Sequence, residues 1–128
     1  MKDWTRLHLH TYPRIVALTD QRSGGDRSRW INRVIERYTT IVDAEKPHLR
    51  RLFTQAQAAT IAEATQDRVL DPVSVTAYVI SSTKDPYLAE LMRNLSVTQR
   101  CVLCDCAEQY HRRKNGDAAI QPTVDNLF

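Results

Sequence analysis

Glycine is scarce in this chain, three residues in 128, and two of the three stand side by side at Gly24-Gly25. No glycine-rich phosphate loop can be drawn from them, and neither a nucleophile elbow nor an HExxH zinc pattern occurs. An enzyme is therefore not expected, and no cofactor is implied. Long apolar runs are missing too. None approaches the roughly 18 residues that a membrane helix needs, and Met1-Lys2-Asp3-Trp4 opens the chain without an apolar leader core. A cytoplasmic protein with no membrane partner is the expectation. Cysteine is limited to Cys101, Cys104 and Cys106, an odd and clustered set. It makes no disulfide framework and suits a reducing compartment.

What is present is charge, unevenly spread. Residues 1–46 hold nine Lys/Arg against six Asp/Glu, while residues 47–128 hold nine of each. The whole formal charge of +3 thus sits in the first third of the chain. A surplus of that size is weak evidence for nucleic acid by itself and becomes more specific once it is placed on elements.

Trp4 to His10 alternates. Thr5, Leu7 and Leu9 share one face of an expected strand, and Trp4, Arg6, His8 and His10 share the other. Two leucines bury too little to hold a lone strand, so it must pair, and the chain offers no second strand nearby. It turns helical at Tyr12-Pro13, with proline suited to a first turn, and Ile15 and Leu18 give a short apolar stripe. Gly24-Gly25 ends that helix by allowing left-handed backbone. Ser28 reads as the next N-cap, with Asp26 as competitor. Ile31, Val34, Ile35, Tyr38 and Ile41 then recur at helical spacing, and the seam is expected to break at Asp43–Pro47, since the residue before proline is pushed out of the helical region.

A strand, a helix, a glycine turn and a second helix over residues 4–40 resembles the ribbon-helix-helix DNA-binding proteins of the Arc, MetJ and CopG type. Trp30 departs from that pattern, being larger than the apolar residue common there. The resemblance implies a homodimer, or a higher oligomer built from it, with double-stranded DNA as partner. It implies base contacts from Arg6, His8 and His10 on a shared β-ribbon in the major groove. Phosphate contacts would come from Arg27, Ser28 and Arg29 at the start of the second helix. Leu7, Leu9, Ile15, Leu18, Ile31, Val34, Ile35 and Tyr38 would form the dimer core.

From Pro47 onward four helices are expected: Pro47 to about Thr65, Pro72 to about Ser82, Tyr87–Leu95 and Val97–Lys114. Asp71-Pro72 and Asp85-Pro86 are start signals, Ser96 with Gln99 is a capping box, and Gly116 closes the last helix. The expected core includes Leu49, Leu52, Phe53, Ala56, Ala59, Ile61, Val73, Val75, Tyr78, Val79, Ile80, Leu88, Leu91 and Met92. The fold class is thus mainly α: an N-terminal ribbon-helix-helix domain over 1–45, an all-helical domain over 46–116 for oligomerisation or partner binding, and a tail over 117–128. Cys101, Cys104, Cys106 and His111 invite a zinc reading, yet on one helix Cys104 and Cys106 point about 200° apart, so small core residues are the expectation and no metal is assigned. The function expected is a repressor-like, sequence-specific DNA-binding regulator of transcription, of phage or plasmid type. The alternative is a helical interaction or inhibitor module, or a relaxosome or antitoxin accessory protein, on the same dimer.

Overall fold

A computed structural model describes residues 9–128. Every regular element in them is a helix: α1 Pro13–Ser23, α2 Arg27–Leu52, α3 Gln55–Thr65, α4 Ser74–Ser82, α5 Pro86–Asn94, α6 Val97–Gly116 and α7 Val124–Leu127. The expected ribbon is corrected by this. Among the described residues there is no strand, and Leu9 and His10, the last two of the expected strand, lie in irregular backbone ahead of α1. Residues 4–8 of that strand lie outside the described residues. Over the described residues the fold is all-α rather than ribbon plus helices. A strand leaves its N–H and C=O groups open until a second strand pairs with them, and no described segment supplies one.

The chain divides into two compact units, Met1–Thr40 and Ile41–Phe128. In the first, Pro13 starts α1, and Gly24 (φ 62°) and Gly25 (φ 96°) close it in left-handed backbone. A side chain at either glycine would have to adopt a conformation that L-residues avoid. Asp26, not Ser28, caps α2: its Oδ1 accepts from the Arg29 N–H at 3.1 Å, and its carbonyl accepts from the Trp30 N–H at 3.2 Å. The helix end expected at Asp43–Pro47 is also corrected. α2 runs to Leu52 with Pro47 inside it. Pre-proline sterics disfavour helix locally, but Val42 and Leu49, one turn before and just after, are buried and hold the segment helical.

The second unit is a helical cluster in which α3 packs on α4, α6 and α7, α4 also meets α5 and α6, and α6 meets α7. Ile61, Val75, Val79, Leu88, Met92, Leu103, Ala107 and Tyr110 are fully enclosed. Its helix starts are chemically explicit. Thr54 and Gln57 form one capping box and Ser96 and Gln99 another. Asp71 Oδ1 accepts from the N–H groups of Val73 and Ser74, and Asp85 Oδ1 accepts from that of Tyr87. Gln57 serves twice, accepting from the Thr54 N–H and donating to Asp85 Oδ2 at 3.2 Å. Thr54 splits the single run expected from Pro47 to Thr65, which leaves Leu52 and Ala56 exposed. Val73, expected in the core, is 84% exposed. The end of the chain, expected as an aperiodic tail, is packed: Leu127 and Phe128 are buried, and the Phe128 ring stacks on Phe53 at 5.6 Å. No helix among the described residues is long and apolar enough to cross a membrane.

Candidate nucleic-acid interface

Among its described residues the first unit has none that is buried. No residue of α1 is buried, and α1 and α2 pack little on each other. Of the residues expected in a dimer core, Leu9, Ile15, Leu18, Val34, Ile35 and Tyr38 are exposed and Ile31 is half-buried; Leu7 lies outside the described residues. An amphipathic helix whose apolar stripe faces water lacks the packing that normally stabilises it. On α2 the stripe is compact. With 100° per residue, Trp30, Ile31, Val34, Ile35, Tyr38 and Ile41 fall within about 140° of the circumference. Beyond the first turn no charged residue of the first unit falls in that sector.

Beside it runs a second stripe. Arg29, Arg33 and Arg37 follow one another at intervals of four, all exposed. Each step rises about 6 Å and turns about 40°. Among the described residues none of the three is in an ion pair, whereas Arg27 is committed: its Nε and Nη2 both donate to the Asp20 carboxylate, the latter at 2.7 Å, across the glycine turn. That contact holds Asp20 below the usual carboxylate range and raises Arg27. Ser28 is exposed in the first turn of α2, where the Asp26 carboxylate already takes an N–H. Of the three expected base readers, Arg6 and His8 lie outside the described residues, and His10 is exposed just before α1. The sequence expectation stops at Arg29 and does not extend to Arg33 and Arg37, although their four-residue spacing is visible in the sequence.

The chain matches no family model, no curated protein and no solved structure. Its function has to be read from its own geometry.

The second unit holds the other chemically interesting cluster. Cys104 and Cys106 are buried, and desolvation pushes their thiols up to about 12 and about 11. Both therefore stay protonated at neutral pH, a poor state for nucleophilic attack or metal ligation. His111 lines an open cleft of about 310 Å³ with Asp67, Arg68, Glu108, Arg112 and Asn115. Its Nε2 lies 3.0 Å from Thr65 Oγ1. The Thr65 hydroxyl also lies 2.7 Å from the Ile61 carbonyl and 3.2 Å from that of Ala62, so its proton has carbonyl acceptors and its oxygen can accept from His111 in the Nε2–H tautomer. Burial, with the Lys114 charge adding to it, lowers the His111 pKa below 6.5; Asp67 and the Ala62 carbonyl partly oppose this. The unfolded chain then binds the proton more readily than the folded one. Stability from this group is complete above about pH 6.5 and declines as the pH falls below it. Chemical denaturation of the protein should give a lower midpoint at pH 5 than at pH 7.5, and His111→Gln should flatten that difference; an unchanged pH dependence in the variant would remove His111 as its source.

Proposed function

We propose that the protein is a DNA-binding regulator that works as a homodimer through its N-terminal unit. The observation that carries the reading is the pairing on α2 of an exposed, uncharged apolar stripe with an adjacent stripe of arginines. An uncharged stripe is self-complementary, so the same patch on a second copy can cover it around a two-fold axis. Covering it would bury the apolar side chains of Val34, Ile35, Tyr38 and Ile41 that α2 leaves exposed. The arginine stripe lies outside the apolar sector and would stay in water after dimerisation. Residues 9–40 carry six cations, all arginine, against three carboxylates. Arginine presents a planar fork of donors suited to phosphate oxygens, which a lysine point charge does not match. The reading keeps the dimer and the DNA partner that the ribbon-helix-helix resemblance implies, and places contact on helical surface instead of a ribbon.

The test is to measure oligomeric state and DNA binding together, for the protein and for Ile35→Asp. A charge halfway along the stripe should convert a dimer to a monomer in sedimentation equilibrium and weaken binding to duplex DNA at least tenfold. Binding by the unaltered dimer should fall steeply between about 50 and 200 mM salt, as counterion release requires. A monomeric protein at micromolar concentration would sink the dimer. A dimer that ignores DNA even at low salt would move the protein to the class of helical interaction modules.

A further inference from the structure

We infer that Arg29, Arg33 and Arg37 form a phosphate-binding ladder along α2, and that Arg27 takes no part in it. The inference rests on the DNA reading above and assigns its contacts. Three observations lead to it.

The first is electrostatic. Like charges four residues apart on a helix repel, destabilising it by about 0.2–0.5 kcal/mol per pair, and cations near a helix N-terminus also oppose the helix dipole. α2 accumulates both penalties within its first three turns. Its local anions do not relieve them. Asp26 is used as the N-cap and Asp20 is held by Arg27. Glu36, at the edge of the ladder, is in no ion pair among the described residues, and neither are the three arginines. An external anion facing the stripe would relieve both penalties.

The second is spacing. Steps of about 6 Å along the axis are close to the separation of neighbouring phosphates on one DNA strand. The drift of about 40° per step lets the three guanidiniums follow a strand that curves past the helix. Each fork can donate two parallel N–H bonds to one phosphate. A single small anion would satisfy one rung and leave two unmet, so the occupant that fits is a polyanion of regular pitch.

The third is what the helix end does. The first turn of α2 would be the conventional anion seat, with free N–H groups and positive dipole. Here the Asp26 carboxylate caps it and the Asp20 carboxylate neutralises Arg27 beside it. The backbone N–H seat is thus already taken by Asp26 and Arg27 is already paired, which leaves the side chains of Arg29, Arg33 and Arg37 to carry the contact.

The experiment compares the salt dependence of binding to a random DNA duplex for the full chain and four variants. The log–log slope should shrink by about 0.9 for every phosphate that is no longer neutralised. Arg33→Ala and Arg37→Ala should each reduce it by that amount per bound protomer and weaken binding severalfold at low salt. Arg33→Lys/Arg37→Lys keeps the charges and should retain the slope, which separates removal of charge from loss of fold. Arg27→Ala should leave the slope unchanged. If the unaltered protein binds with a steep slope that Arg33→Ala and Arg37→Ala do not change, or that Arg27→Ala reduces, the ladder is wrong while the DNA reading stands. If the unaltered protein does not bind DNA at low salt, the reading itself fails.

Discussion

Replacing Phe128 with alanine should destabilise the second unit by about 3 kcal/mol or more, the usual result of removing a buried phenyl ring. The thermal midpoint should drop by roughly 12 °C or more, since a unit of this size shifts about 4–8 °C per kcal/mol. The expectation follows from how the segment is held. The Phe128 ring is 5% exposed and lies nearly parallel to Phe53, at 20° between planes. Arg50 Nη2 donates to the Phe128 oxygen at 2.7 Å, Arg113 Nη2 donates to the Asn126 carbonyl at 2.5 Å, and Gln55 Oε1 accepts from the Val124 N–H at 2.7 Å. α7 is a single turn, too short to persist alone, so its order derives from these contacts. Phe53→Ala should produce an effect of similar size. The double variant should be destabilised by less than the sum, because each single change already removes the stack. An unchanged midpoint in Phe128→Ala would mean that α7 is not part of the unit that unfolds cooperatively.

The packing of α7 also marks one limit of reading this sequence alone. Residues 117–128 show no helical period, because periodicity reports an element that covers a face over several turns. One turn anchored by two terminal side chains leaves no such signal. Elsewhere the local chemistry is legible. Pro13, Gly24-Gly25, Asp85-Pro86 and Ser96 with Gln99 each mark a helix boundary within a residue or two of where it falls, and Asp71 lies only slightly further from the start of α4, because caps act through neighbours in the chain. Helical spacing also selects Leu49, Ile61, Val75, Val79, Leu88 and Met92 for the core, where they are buried. It misplaces Val73, which precedes α4 on an exposed turn. The largest departure is at Leu9 and His10, the described end of the expected strand, which are irregular. Alternation over seven residues suggests a strand only if a partner strand exists, and that condition is non-local. The candidate interface is half legible. Its apolar stripe reads as dimer core from spacing alone, whereas the commitment of Arg27 to Asp20 depends on a fold across the glycine turn that spacing does not report. On the proposed reading, that pairing takes Arg27 out of the phosphate contact and leaves it to Arg29, Arg33 and Arg37.

Pro47→Ala should stabilise the second unit by about 2 kcal/mol. Proline in a helix interior is about 3 kcal/mol less favourable than alanine, since it lacks an N–H and its ring crowds the carbonyl four residues back. At position 47 that carbonyl belongs to Asp43, which is exposed, so water can replace part of the missing bond. The gain on substitution is further reduced by about 0.4–1 kcal/mol because proline also stiffens the unfolded chain. The balance remains favourable, and the new alanine N–H would complete the hydrogen-bond ladder through the middle of α2. The same residue explains why the sequence suggests a break here. Its local preference is strong, but Val42 is buried ahead of it and Leu49 after it, and a helix that ended at residue 46 would remove Leu49 from the core at a cost of about 2–5 kcal/mol, judged by leucine truncations. Burial of Leu49 is of the same size as the proline penalty or larger, so the helix continues. A denaturation midpoint that rises in Pro47→Ala with an unchanged slope supports this account. A midpoint that falls would show that the proline ring, half-buried in the second unit, contributes packing worth more than the hydrogen bond it prevents.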